Sequence, residues 1–128
     1  MGFQRGSAVG DLNDDGNLDL VVTSLNENPR ILMNSGGTGN HWLEVDVRGT
    51  KSNRDAIGAT IILTTASGRK LYNHVSTSVG FMSSSDKRVH FGLAQETSVK
   101  EIQIRWPGGA VRKLTAIPAD QIVKVEEP

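Results

Sequence analysis

His41-Trp42-Leu43-Glu44-Val45-Asp46-Val47-Arg48 alternates an apolar column (Leu43, Val45, Val47) with a polar one (Glu44, Asp46, Arg48). That period of two is what a strand with one buried face imposes on a sequence. The same beat returns at 59–65, where Ala59, Ile61 and Leu63 alternate with Thr60, Ile62 and Thr64. It returns again at 99–106, where Ile102, Ile104 and Trp106 oppose Glu101, Gln103 and Arg105. Shorter strands are expected at 18–24, 29–34, 69–76, 88–93, 111–115 and 121–126. Asp15-Gly16, Gly36-Gly37, Ser67-Gly68 and Pro107-Gly108-Gly109 separate them as turns. No stretch holds a helical period for three turns. The expected fold is all-β, with a β-sandwich-like C-terminal domain.

Composition narrows the function classes. The chain has 128 residues, with 14 basic against 14 acidic side chains and no cysteine. A net charge of zero supplies no field to gather nucleic acid or anionic lipid, so neither is expected as a partner. Without cysteine there are no disulfides, no zinc thiolate site and no thiol catalysis. The longest apolar runs, such as Ile61-Ile62-Leu63, fall far short of the roughly 20 residues of a membrane-spanning helix. Met1 is expected to be an introduced start, with further sequence upstream.

The glycine-rich run Asn34-Ser35-Gly36-Gly37-Thr38-Gly39-Asn40 is the expected boundary between residues 1–40 and 41–128. Before it stands the most informative segment, Asp11-Leu12-Asn13-Asp14-Asp15-Gly16-Asn17-Leu18-Asp19. Side-chain oxygens at alternate positions point into a tight backbone curl, and Gly16 makes the sharp turn that a Cβ would obstruct. Calcium takes six to eight hard oxygens in such a curl. The expected ligands are Asp11, Asn13, Asp15, the Asn17 carbonyl and Asp19, with Asp14 pointing outward. Three ligand carboxylates with no neighbouring Lys or Arg in sequence repel one another unless a cation sits among them. Val22 stands where an EF-hand needs a bidentate Glu, and the flanks at 8–10 and 18–23 read as strands, so the loop sits in a β-hairpin.

Gly10 to Val22 resembles the calcium loop of FG-GAP/VCBS repeats, the blades of integrin-type β-propellers. Asn53-Arg54-Asp55-Ala56-Ile57-Gly58-Ala59, Gly80-Phe81-Met82-Ser83-Ser84, His90-Phe91-Gly92-Leu93 and Arg105-Trp106-Pro107-Gly108-Gly109 together resemble the ASPIC/UnbV domain. The resemblance implies a partial propeller blade over 1–40 and an ASPIC/UnbV-like sandwich over 41–128, with the rest of a propeller upstream. It implies a secreted or cell-surface binding or adhesion module with structural calcium, an extracellular protein or glycan as partner, and no established reaction.

Other candidates have plainer readings. No Ser/His/Asp grouping shows in local spacing, so no enzyme is expected; a hydrolase using His90 with Asp55 or Asp86 is the rival. His90 faces away from Val89 and Phe91 and reads as a surface or hydrogen-bonded histidine. Arg54 and Asp55 form a possible recognition loop, although they read better as partners of backbone groups, with Gly58 allowing two strands to approach. Trp42, on the polar face of its strand, is read as core or inter-domain packing. Stacking on a sugar ring, as in a carbohydrate-binding module, is the alternative. Ile31 and Met33 are expected to bury against the sandwich edge that begins at Leu43.

Overall fold

The structure, a computed structural model, describes residues 3–37 and 39–128; Met1, Gly2 and Thr38, the last inside the expected boundary run, lie outside it. There are ten strands and no helix among these residues, in three sheets. The N-terminal sheet is an antiparallel meander of β1 (Gln4–Gly10), β2 (Asp19–Ser24) and β3 (Glu27–Leu32). β4 (His41–Arg48) is central in the second sheet, between β7 (Val89–Ala94) and β10 (Gln121–Glu126). The third sheet runs in the order β6 (Lys70–His74), β5 (Thr60–Thr65), β8 (Ser98–Arg105), β9 (Val111–Pro118). No helix here is long and apolar enough to cross a membrane.

The alternating columns find their places in the last two sheets. Leu43 and Val45 pair with Phe91 and Val89 across β4 and β7, while Ile61 and Leu63 pair with Ile104 and Ile102 across β5 and β8. The inward residues of both sheets join in one buried cluster, which is the core of a sandwich. Trp106 fills one end of it, its Nε1 donating to the Arg48 carbonyl at 3.1 Å. β10 closes the second sheet by pairing parallel to β4, with Val125 beside Val47. Just beyond it the buried Glu127 carboxylate accepts the Thr50, Lys51 and Ser52 amides at 3.0, 2.8 and 2.7 Å and the Ser52 hydroxyl at 2.8 Å. Those amides, Ser52 foremost, hold its pKa down to about 2. The β4–β5 loop is thereby tied to the chain's end.

Two expectations are corrected here. Ile31 and Met33 do not bury against Leu43: they remain 59% and 52% exposed, and no residue before Leu43 enters the core cluster. β3 is exposed along its whole length, because it is the far edge of a sheet that meets the sandwich elsewhere. In the 53–59 loop, Asn53 rather than Arg54 or Asp55 satisfies the backbone. Its side chain accepts from the Ile57 amide at 2.8 Å and donates to the Ile57 carbonyl at 3.0 Å. Asp55 instead meets Lys87 at 3.3 Å at the surface, and Arg54 is exposed. Gly58 is needed for its φ of +90° and not for a close approach, since a Cβ there would meet Pro107 at an ordinary 3.6 Å.

Since the core draws nothing from the first forty residues, residues 41–128 are expected to fold alone, with dispersed amide resonances and a cooperative melt. A molten, dye-binding product would show that the N-terminal sheet completes the fold.

Candidate functional site

The acidic loop connects β1 to β2, and its own carboxylates shape it. Asp11, which is buried, accepts the Asp15 and Gly16 amides at 3.1 and 2.7 Å. Asp19, also buried, accepts the Leu12 amide at 2.9 Å and the Asn34 amide at 2.8 Å. The two side chains stand in for backbone partners that an irregular loop lacks, as Asp does in tight turns. Asp14 and Gly16 take the left-handed region at φ 59° and 83°. The exposed Asp15 carboxylate bonds the Asn17 amide at 2.8 Å and the Asn13 side chain at 2.9 Å. The Asn17 amide, and after it Asn13, hold its pKa below the usual range, so it is ionised at neutral pH.

All five expected ligands therefore lie in one curl. Among the described residues, however, no three carboxylates or imidazoles converge closely enough to hold a metal ion as they stand. The donor set is the all-oxygen one that calcium takes, and each carboxylate oxygen now bonded to an amide keeps a second lone pair. The donor types, though not their present spacing, are those calcium takes, and the Asp15 carboxylate is engaged by its asparagine partners.

The curl lies on the outer face of β4 and β7, where the fold supplies what the linear sequence did not reveal. Arg88, just before β7, reaches the loop without pairing with any of the three expected ligand carboxylates. Its Nε donates to Asp86 at 2.7 Å, Nη2 donates to the Asp11 carbonyl, and Nη1 pairs with Asp14. Asp14 thus turns to Arg88 instead of simply outward. Two residues on, His90 Nε2 donates to the Gly16 carbonyl at 2.8 Å and its ring stacks on Trp42 at 6.4 Å. Trp42 itself lies against Gly16, where a Cβ would come within 1.9 Å of its Cε2. Ser85 Oγ accepts the Val9 amide at 3.1 Å, and the Asp86 amide donates to the Val9 carbonyl at 3.0 Å.

Beneath the curl lies Glu44, 1% exposed. Its Oε2 is 3.2 Å from Arg88 Nη1 without the alignment of a hydrogen bond. Burial pushes its pKa up to about 7; Arg88 opposes the rise, and Asp11, Asp86 and Asp14 add to it. Spacing gave no signal for this role of Arg88, read as the first residue of the expected strand 88–93 and 77 residues from Asp11. Glu44 and Trp42 carried a weak one: both occupy the outward column of β4 that the loop covers. His90 has no bond to Asp55 or Asp86, which are engaged by Lys87 and Arg88.

The family described as ASPIC and UnbV matches residues 49–128, well over half of the chain. The chain belongs to the ASPIC and UnbV family. The match starts just after β4, yet β4 is the middle strand of one sheet of the sandwich, so the fold reaches back further than the match. The chain is also similar to cartilage acidic protein 1 of Xenopus tropicalis, 28% identical over 113 residues, covering 86% of this chain and 17% of that protein. The Mus musculus and Homo sapiens proteins of that name are each 27% identical over 111 residues, covering 84% of this chain and 17% and 16% of their own lengths. These matches are longer than the ASPIC and UnbV segment and so take in part of the N-terminal 48 residues. The chain spans about 17% of the relatives' length.

Proposed function

We propose that this chain is a non-catalytic, calcium-binding module of a secreted protein, with an FG-GAP/VCBS-type repeat docked on the ASPIC and UnbV sandwich. The observation that carries the reading is the Asp11–Asp19 curl: an all-oxygen loop folded on its own buried carboxylates and seated on the sandwich. Calcium's role is structural, cancelling repulsion among the Asp11, Asp15 and Asp19 carboxylates. Secretion is supported by the similarity to proteins named for cartilage. A propeller setting is supported by the N-terminal sheet, which leaves Leu25, Ile31, Leu32 and Met33 exposed and needs another layer to cover them. Adhesion to an extracellular protein or glycan is the function such a setting supports. Sugar stacking on Trp42 is less favoured, because Gly16 and His90 occupy its surroundings.

Isothermal titration with calcium is expected to show about one site per chain, with Kd of roughly 10⁻⁵–10⁻³ M, the range of extracellular modules. An Asp11→Ala/Asp15→Ala double variant that binds equally well would sink the assignment. Magnesium is expected to compete poorly, since it keeps its waters and a strict octahedron.

A further inference from the structure

We propose that Arg88 is a latch between the acidic loop and the sandwich, through which a cation taken up by the loop is felt in the ASPIC and UnbV domain. The first half stands on geometry alone; the second rests on the calcium reading.

One guanidinium reaches across the junction in both directions. On the loop side it holds the Asp11 carbonyl and the Asp14 carboxylate. On the sandwich side it holds Asp86 through Nε and Nη2 and lies 3.2 Å from the buried Glu44. Its own side chain is only 17% exposed, so these are not the loose surface pairs that contribute little. His90 adds a second arm from the same outer face, on the Gly16 carbonyl. The two arms fix carbonyls at both ends of the tightest part of the curl, between the Asp11 side chain and the amides it accepts. Beside the Trp42 ring on Gly16, the contacts that cross this junction are polar, and the N-terminal sheet puts nothing into the core. Polar latching thus couples the two parts alongside the Trp42 contact. A loop held in its curl also binds a cation without first ordering itself, and affinity falls in proportion to the fraction of chains in which the curl is undone.

The latch predicts an effect of distinctive sign. Deleting a positive charge beside a cation site should tighten cation binding by simple electrostatics. The latch requires the opposite. Arg88→Met is expected to weaken calcium binding on the order of tenfold. In chelator, with no calcium present, the same variant should speed amide hydrogen exchange at Asp15 and Gly16 and red-shift the emission of Trp42. Asp14→Asn removes only an exposed arm and leaves the sandwich intact; it should speed the same exchange in smaller measure, guarding against an Arg88→Met chain that fails to fold. Unchanged exchange and emission in both variants would overturn the latch. Faster exchange together with tighter calcium binding would overturn the coupling. If the parent chain binds no calcium, the calcium reading fails, while the exchange result still decides the latch.

Discussion

Gly16→Ala is expected to lift the acidic loop off the sandwich. The new Cβ would lie 1.9 to 2.2 Å from three atoms of the Trp42 ring, which no side chain tolerates, and φ at this position is +83°. The left-handed backbone alone costs an alanine about 1 kcal/mol, and overpacking adds about 1–3 kcal/mol. Moving Trp42 aside also breaks its stack on His90, whose bond to the Gly16 carbonyl depends on the same placement. The loss of global stability is capped by the docking free energy, because a chain facing a larger cost simply undocks. The direct readout is fluorescence. The chain has two tryptophans, and Trp106 is 1% exposed inside the core, so a red shift in emission reports Trp42. The variant should show that shift together with a melting temperature lower by up to roughly 10 °C. Parental emission and melting in Gly16→Ala would mean that the loop does not rest on Trp42.

Glu44→Gln is expected to stabilise the protein at pH 8 and to erase much of its pH dependence between about pH 4.5 and 7. In the unfolded chain Glu44 ionises near its usual 4.5, whereas burial keeps it protonated up to about 7 in the fold. Between those values the folded chain holds the extra proton, so stability falls as pH rises and levels off above 7. At about 1.4 kcal/mol per pH unit, the total is roughly 3 kcal/mol. Glutamine keeps the shape and an acceptor for Arg88 without the buried charge. Parent and variant should melt alike near pH 4.5, and the variant roughly 10 °C higher at pH 8. The comparison belongs in chelator, since a cation at the neighbouring loop would itself favour the ionised form. Glu127 does not confuse it: its lowered pKa places its stabilisation above about pH 4.5, to be lost as the pH falls toward 2. A Glu44→Gln chain as pH-dependent as its parent would show that this carboxylate is not the buried acid of the junction.

Most of the strands were legible because alternation is local. Each inward residue of β4, β5 and β8 is two positions from the next, so the buried face is visible without knowing what it buries against. β1 was legible only at its Ala8-Val9-Gly10 end, since Gln4-Arg5-Gly6-Ser7 has no apolar column and becomes a strand by pairing with β2. β9 runs on to Pro118, beyond the expected 115, because Ile117 pairs with Val99 across the sheet. The curl of the acidic loop was equally local, being written in the spacing of Asp11, Asp15, Gly16 and Asp19.

What lies next to what was decided only by the tertiary structure. The sequence by itself determined an all-β chain, most of its strands and turns, and the path of the acidic loop. It did not determine that β10 returns parallel to β4, that Glu127 ties off the β4–β5 loop, or that Arg88 pairs with Asp14 in a loop some seventy residues earlier. Nor did it show that the N-terminal sheet docks through Gly16 and Trp42 while Ile31 and Met33 stay in solvent. The physical reason is the range of the interactions. Periodicity and turn chemistry act between residues a few positions apart, so they leave a mark in any short window. An ion pair or a ring lying on a glycine costs nothing to write at two distant positions, and only the packed chain brings them together.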